Sequence, residues 1–352
     1  RLDSENILTD DQGRLYYLKD GKPVLLEERM KQSKLVSKDG KFIFTGKYGT
    51  TLMQEVDNYA KVASIIAEQY EFDIIHAHDW LTYAAGVAAK KVSGKPLVIH
   101  VHATEFDRSG EQNINPHVYG LEQHGMQNAD KIITVSDLTG NIVEKKYGIP
   151  KHKTVTVHNA VEPQESENKV FEKNTDEKIV TFLGRITYQK GPEYFIKTAK
   201  LVLDKTDNVR FVMAGNGDML RRMIRYAAKL KISDKFHFTD FLRGEDVTRM
   251  YAISDVYVMP SISEPFGISP LEAMRSNVPV IISKQSGVSE ILKNAIKVNF
   301  WDDHAMADAI YGLLNYDGMA RMLRRLSKPE AESFRWVTPA EKVKDIYKNI
   351  LN

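Results

Sequence analysis

Two loops in this 352-residue chain gather groups able to handle a polyanion. The first, Gly184-Arg185-Ile186-Thr187-Tyr188-Gln189-Lys190-Gly191-Pro192, follows a strand-like run and opens a helix, because Pro192 suits the first helical position and Gly191 the cap. Arg185 and Lys190 then flank a helix amino terminus, where free N–H groups and the helix dipole favour an anion. Two cations and a helix end can hold a diphosphate without a metal; a solvated loop with two unpaired charges is the plainer reading of the same residues. The second loop runs from Ser263 to Glu272. Ser269, Pro270 and Glu272 have capping-box spacing, which would by itself account for Glu272. Glu264 precedes that helix as an uncompensated carboxylate facing an anion-friendly helix end. Gly267 permits close backbone approach and leaves the Ile268 and Ser269 amides available to a ligand.

A third group is made of imidazoles. His76-x-His78 and His100-x-His102 each set two rings on one strand face, with Asp79, Glu105 and Asp107 nearby, the residue types with which a metallohydrolase activates water. If the strands are covered on both faces, His76 and His100 are instead buried, hydrogen-bonded core residues. The hydrolase reading also leaves Arg185, Lys190 and Glu264 without a role.

The elements that must position these groups follow a βαβ pattern: short apolar runs bounded by turn residues, with helical stretches between them. Strands are expected at 73–78, 97–102, 131–136 and 154–158, then at 178–183, 210–214, 235–241, 255–259, 278–283 and 295–300. The polar stretch 162–177, with Pro163, reads as a linker between a first domain, 1–161, and a second, 178–335. The fold class is α/β, two Rossmann-like doubly wound parallel sheets facing a cleft. Ligands of such sheets bind at the carboxyl ends of the strands. Those ends deliver His78-Asp79, His102, Ser136, Gly184-Arg185, Gly215-Asn216-Gly217, Pro260-Ser261 and Ser283. Gly215-Asn216-Gly217 alone is only a turn. Before residue 46 the pattern differs, since Asp20-Gly21 and Asp39-Gly40 between strand-like runs signal hairpins. A helix over 52–70 should bury Val56, Tyr59, Ala60, Ala63, Ile66 and Ala67, and a closing helix over 336–352 should share Val343, Ile346, Tyr347 and Ile350 on one face.

The spacing of Glu264 and Glu272 resembles the paired-glutamate motif of retaining GT-B glycosyltransferases, nearest the glycogen and starch synthase-like group. His76-Ala77-His78-Asp79-Trp80, His102 to Arg108, Val157-His158-Asn159-Ala160-Val161 and Gly184-Arg185 with Gln189-Lys190-Gly191 resemble the same family, in the right order from about Phe72 onward. The resemblance implies a GT-B fold and a nucleotide sugar held mainly by the second domain, with its sugar pointing towards an acceptor site on the first. It implies that Arg185 and Lys190 neutralise the diphosphate, that Glu264 contacts the sugar hydroxyls and Glu272 the ribose, and that His102 and Asp79 touch the sugar. The donor loops would be Gly184, Gly215-Asn216-Gly217 and Phe266-Gly267-Ile268-Ser269. Transfer would retain the anomeric configuration, with no side chain as catalytic base. The donor is expected to be UDP- or ADP-glucose and the acceptor an α-glucan, without a metal or other cofactor. The family's glycine-rich loop after its first strand lacks its usual form; Phe42 to Gly49 is the one candidate, so a catalytically incomplete protein that binds nucleotide or glucan is an alternative. The chain begins at Arg1, and additional residues are expected before it.

Composition narrows the alternatives. Lys and Arg exceed Asp and Glu by 49 − 47 = +2, so no strong field argues for nucleic acid or a membrane as main partner. The basic run Arg221, Arg222, Arg225, Lys229 and Lys231 reads as one solvated helix face. Zero cysteines exclude disulfides, thiolate nucleophiles and cysteine-ligated zinc. No apolar run is long enough for a membrane span and no signal peptide is evident, so a cytoplasmic protein, free to form oligomers, is expected. Tyr188, Phe266 and Trp80 could stack on a sugar or base, although isolated aromatics usually serve packing.

Overall fold

The computed structural model describes residues 7–9, 15–19, 22–25, 52–110, 113–162 and 171–352. They form two compact units, 1–71 with 84–94, and 72–83 with 95–352. In the first unit, β1 (Ile7–Thr9), β2 (Leu15–Lys19) and β3 (Lys22–Leu25) form an antiparallel sheet. Lys19 lies opposite Lys22, and Asp20-Gly21, expected as a hairpin turn, lies outside the described residues. Asp39-Gly40 and the candidate glycine loop Phe42 to Gly49 lie outside the described residues. The helix Leu52–Gln69 buries Val56 and Ala67 but leaves Tyr59 and Ile66 exposed. At ~100° per residue, Tyr59 and Ile66 sit roughly 60–80° off the stripe that joins Val56, Ala60, Ala63 and Ala67. The buried positions are instead Glu55, Val56, Asn58 and Ala67, so burial on this helix does not follow the apolar pattern.

The second unit contains two all-parallel sheets. The first orders β4 (Ile75–His78), β5 (Leu97–Val101), β6 (Lys131–Thr134) and β7 (Thr154–Thr156) side by side. The second comprises β8 (Lys178–Leu183), β9 (Val209–Ala214), β10 (Phe236–Phe238), β11 (Val256–Met259), β12 (Val280–Ser283) and β13 (Ile296–Val298), in the order β10-β9-β8-β11-β12-β13. Each expected parallel strand is present. β5, β11 and β12 are buried along their whole length, which is why they read as unbroken apolar runs. In the second sheet the strand order reverses between β8 and β11. The chain moves outward from β8 to β9 and β10, then returns to β8's other side, so the loops after β8 and β11 diverge around a crevice.

The closing helix, Val337–Leu351, belongs to the first sheet. Its Val343, Ile346, Tyr347 and Ile350 pack with Val98, Ile133 and Val157. The preceding helix, Asp317–Ser333, packs against the second sheet's helix Ser269–Arg275. The chain thus passes from the first sheet to the second around residue 161 and returns around residue 334, where the Val161 amide donates to the Phe334 carbonyl at 3.3 Å.

One buried network fixes the loop after β5. Glu122, 1% exposed on the helix Pro116–Asn128, accepts from the Glu105 amide at 3.0 Å, from the Arg108 guanidinium and from the Tyr147 hydroxyl. Burial raises its pKa, opposed chiefly by the Arg108 charge. Thr104 caps the short helix Glu105–Ser109 in a reciprocal pair with Asp107. Removing Glu122 would leave the buried Tyr147 hydroxyl and Glu105 amide without their acceptor and Arg108 with only its 3.4 Å ion pair to Glu105, so Glu122→Ala should cost about 2–4 kcal/mol in urea unfolding, whereas Arg108→Lys, which keeps a charge, should cost less.

Candidate functional site

The loops after β8 and β11 carry most of the expected site residues. After β8, Gly184 leads into Arg185, a 3₁₀ turn at Tyr188–Lys190, and the helix Pro192–Leu203, with Gly191 as its cap. Gly191 has φ +63°, and a Cβ there would lie 2.1 Å from the Pro260 carbonyl oxygen, so the two loops meet where only glycine fits. The Ile262 amide donates to Gln189 O at 2.9 Å and reinforces the contact. The Gly215-Asn216-Gly217 turn after β9 presses on the same loop: Ile186 N donates to Asn216 O at 2.9 Å and Gly184 N to Ala214 O at 3.0 Å. The Asn216 side chain is engaged by Asp240 at 2.6 Å. This turn therefore supports the β8 loop from one side.

Lys190 and Glu264 come together. The Lys190 ammonium donates to Glu264 Oε2 at 2.5 Å, and Ser261 Oγ donates to the same oxygen at 3.2 Å. Glu264 is 5% exposed and held by its backbone in a parallel bridge with Ser286. It is thus not the uncompensated carboxylate expected from its loop, since burial forces it to take a partner and Lys190 is within reach. Arg185 behaves differently: it is exposed and, among the described residues, forms no ion pair.

The helix Ser269–Arg275 begins one residue earlier than the capping box requires. Ile268 occupies the cap and no side chain caps it; Ser269 Oγ instead accepts from the Tyr257 hydroxyl at 2.8 Å. Glu272 is consequently one position too far along to close a box, and its carboxylate accepts from the Tyr251 hydroxyl at 3.2 Å. The Ile268 and Ser269 amides open the helix, where no intrahelical acceptor exists. Gly267, at φ +99°, sets their direction. The Phe266 ring is 3% exposed within the apolar cluster of Val135, Val161 and Met259, so it packs and cannot stack on a ligand. Trp80 is buried, whereas Tyr188 is exposed, its ring against Gly110. In the basic run, Arg222 does have an acidic partner, Glu193 at 2.9 Å, and the rest of that face is solvated as expected.

Across the crevice, the carboxyl ends of β4 and β5 present His78, Asp79 and His102. Asp79 adopts φ +59°, uncommon for a residue with a Cβ, while its Oδ1 accepts from the His102 and Ala103 amides at 2.8 and 3.3 Å. Its carboxylate thereby shapes the turn that carries His102. The four imidazoles form a stack with neighbouring centroids 4.3–5.4 Å apart. His78 Nδ1 and His102 Nε2 share a hydrogen bond at 2.9 Å, and His76 Nδ1 pairs with the Tyr347 hydroxyl. Of the two histidines expected to be buried and hydrogen-bonded, His100 is buried with both ring nitrogens unpartnered. Burial first, and neighbouring imidazoles second, push His76 down to about 4 and His100 to about 2, and lower His78 as well.

Two contacts without a sequence signal link the sheets. Ser263 Oγ donates to Asp107 Oδ1 at 2.6 Å. Glu290 accepts from the Asp137 and Leu138 amides at 2.9 and 2.6 Å, a carboxylate seated on a helix amino terminus, and its Oε2 also pairs with His158 Nε2 at 2.9 Å. Serine hydroxyls and a glutamate 132 residues from its histidine have no spacing that could announce such pairs.

With the site described, comparison with known proteins is informative. Residues 163–328 match the model of glycosyl transferases group 1, and residues 43–165 that of glycosyltransferase family 4. A glycosyltransferase of Methanocaldococcus jannaschii is 31% identical over 295 residues, covering 79% of this chain and 75% of that protein. The chain belongs to the group 1 glycosyltransferases. A glycogen synthase of Mycobacterium tuberculosis is 24% identical, over 78% of this chain and 68% of its own length. In fold, the glycosyltransferase is similar to Anabaena HepE, solved in complex with UDP and glucose: TM-score 0.70, 18% identity, 86% of this chain and 84% of that one. The architecture is therefore GT-B. Among the described residues of this glycosyltransferase, no helix is long and apolar enough to cross a membrane.

Two measurements test the site's energetics. Because Glu264 is buried against Lys190, Lys190→Met should destabilise the fold by about 1–3 kcal/mol, and adding Glu264→Gln should recover most of it, since the lone charge is then gone. The second concerns pH. Between the ordinary imidazole value of 6.5 and about 4 the unfolded chain binds protons that folded His76 and His100 refuse. Their contribution is complete above 6.5 and falls as pH drops, that of His76 being lost by about 4 while that of His100 continues to fall towards about 2. The melting temperature in chelator-containing buffer should fall over that window, and His100→Phe should flatten the slope.

Proposed function

We propose that this glycosyltransferase is a retaining hexosyltransferase that moves glucose from UDP- or ADP-glucose to an α-glucan of the glycogen type, with no metal needed for the transfer. The observation that carries this reading is the Lys190–Glu264 pair at the point where the strand order reverses between β8 and β11. A cation and a carboxylate meet there beside two helix amino termini, the place where such sheets take ligands. The similarity to a glycogen synthase, and the UDP and glucose bound by the HepE structure, support a nucleotide sugar and a glucan acceptor.

Breaking the anomeric C–O bond puts negative charge on the departing diphosphate. Lys190 and the exposed Arg185 answer that charge, together with the Ile268 and Ser269 amides. As Lys190 turns to the diphosphate it releases Glu264, whose carboxylate then accepts from the donor's sugar hydroxyls; one pair thus becomes two ligand contacts. Glu272 holds the ribose. His102, oriented by Asp79 and His78, contacts the sugar from the first sheet. The acceptor hydroxyl attacks C1 on the face from which the diphosphate leaves; the new C1–O bond forms as the old one breaks, and the hydroxyl proton passes to the leaving phosphate oxygen. No side chain acts as base, and alignment of donor and acceptor supplies much of the remaining rate.

The test is a transfer assay with UDP-glucose and ADP-glucose on glycogen, following free nucleoside diphosphate and the anomeric configuration of the product. Release that depends on glycogen, with an α-linked product, is expected. Lys190→Ala and Glu264→Ala should each lower kcat by about 10²–10³-fold. Near-wild-type turnover in both variants overturns the assignment, and nucleotide binding without release favours a binding protein.

A further inference from the structure

Buried polar atoms in folded proteins almost always have a partner, and the exceptions point to a ligand or a water. In the imidazole stack, His100 is 8% exposed with Nδ1 and Nε2 both unpartnered, and His76 Nε2 is likewise buried without a partner. One ring nitrogen from each of His76, His78 and His100 lies within 4.8 Å of the others. We propose that His76, His78 and His100 form a binding site for a divalent transition-metal ion of the zinc class, separate from the donor site around Lys190.

Imidazole nitrogen is a ligand suited to zinc, copper and nickel. Three such ligands leave a fourth position for water in a tetrahedral zinc site. Two of the three histidines already have the partner that a ligating histidine requires on its other nitrogen. The Tyr347 hydroxyl engages His76 Nδ1, which leaves Nε2 to point inward, and His102 engages His78 Nδ1 in the same manner. The rings are now near-parallel, with interplanar angles of 7–29°. Ligation requires them to turn about their broad Cβ–Cγ wells until the nitrogens stand roughly 3.3 Å apart around an ion with bonds of about 2.0–2.1 Å. Tyr347 lies on the closing helix, so the ion would also tie the end of the chain to β4. The other triad within 4.8 Å among the described residues, Asp137, His158 and Glu290, is a weaker candidate, because both Glu290 oxygens already accept from backbone amides.

The test uses the full chain, stripped with a chelator and titrated with zinc chloride at neutral pH, with bound metal measured by elemental analysis after desalting. One zinc per chain is expected, with a melting temperature that rises with zinc concentration. Tyr347→Phe should weaken binding by about 10–100-fold, the cost of removing a ligand's orienting partner. His78→Asn, at an exposed position that tolerates polarity, should abolish stoichiometric binding, and His158→Gln should not change it. Cobalt substitution should give the strong visible absorption of a tetrahedral site, which reads the geometry without any variant. Wild-type protein that retains no zinc and shows no cobalt band overturns the proposal, as does a His78→Asn protein that keeps full stoichiometry. Since every readout is metal binding or spectroscopy, this outcome is independent of whether transfer to glucan is observed.

Discussion

The pairing of Lys190 with Glu264 depends on one topological fact: successive strands are laid down on opposite sides of β8. Parallel strands end at the same edge, and crossover helices normally fill the space above it. Only where the order reverses do neighbouring loops part and leave room for a ligand. β8 and β11 are those neighbours. The contact of Gly191 with Pro260 brings their loops together at the base, and Lys190 and Glu264 close the gap above it. A buried carboxylate and an ammonium at this spot stabilise one another in the absence of ligand, and each offers a different half of a sugar diphosphate its complement.

Much of this was legible in the chain. Strands covered on both faces are continuous apolar runs, and their lengths and spacing announce β4 to β13 with errors only at the ends. The Gly191-Pro192 pair marked a helix start because one residue needs φ > 0 and the other lacks an N–H. Where local rules failed, a tertiary partner had displaced the local one. Ser269 does not cap its helix because Tyr257 reaches its hydroxyl, and Glu264 is not free because Lys190, 74 residues earlier, folds next to it. Phe266, an aromatic in the donor loop, could have stacked on a ligand, yet its ring turns inward to complete an apolar cluster. The histidines show the limit most clearly. Their i, i+2 spacing predicts a shared face, but only the register of β4 on β5, with His78 opposite His100, joins two pairs into one stack.

The first sheet meets the second through side chains whose spacing carries no local signal. Asp107 is buried and capped by Thr104, and its remaining oxygen receives Ser263 from the β11 loop. Glu290 seats its carboxylate on the helix that follows β6. Both contacts join one sheet's loop to the other's through single polar groups, and apolar area joins the sheets as well, since Val135, after β6, packs with Phe266 and Met259 of the second sheet.

The hydrogen bond between Val161 and Phe334 gains its meaning here. The chain crosses between the sheets twice and the crossings are tied to each other, and Val161 and Phe334 both pack into the apolar cluster of Val135, Met259 and Phe266, so the join between the sheets carries a small buried core of its own.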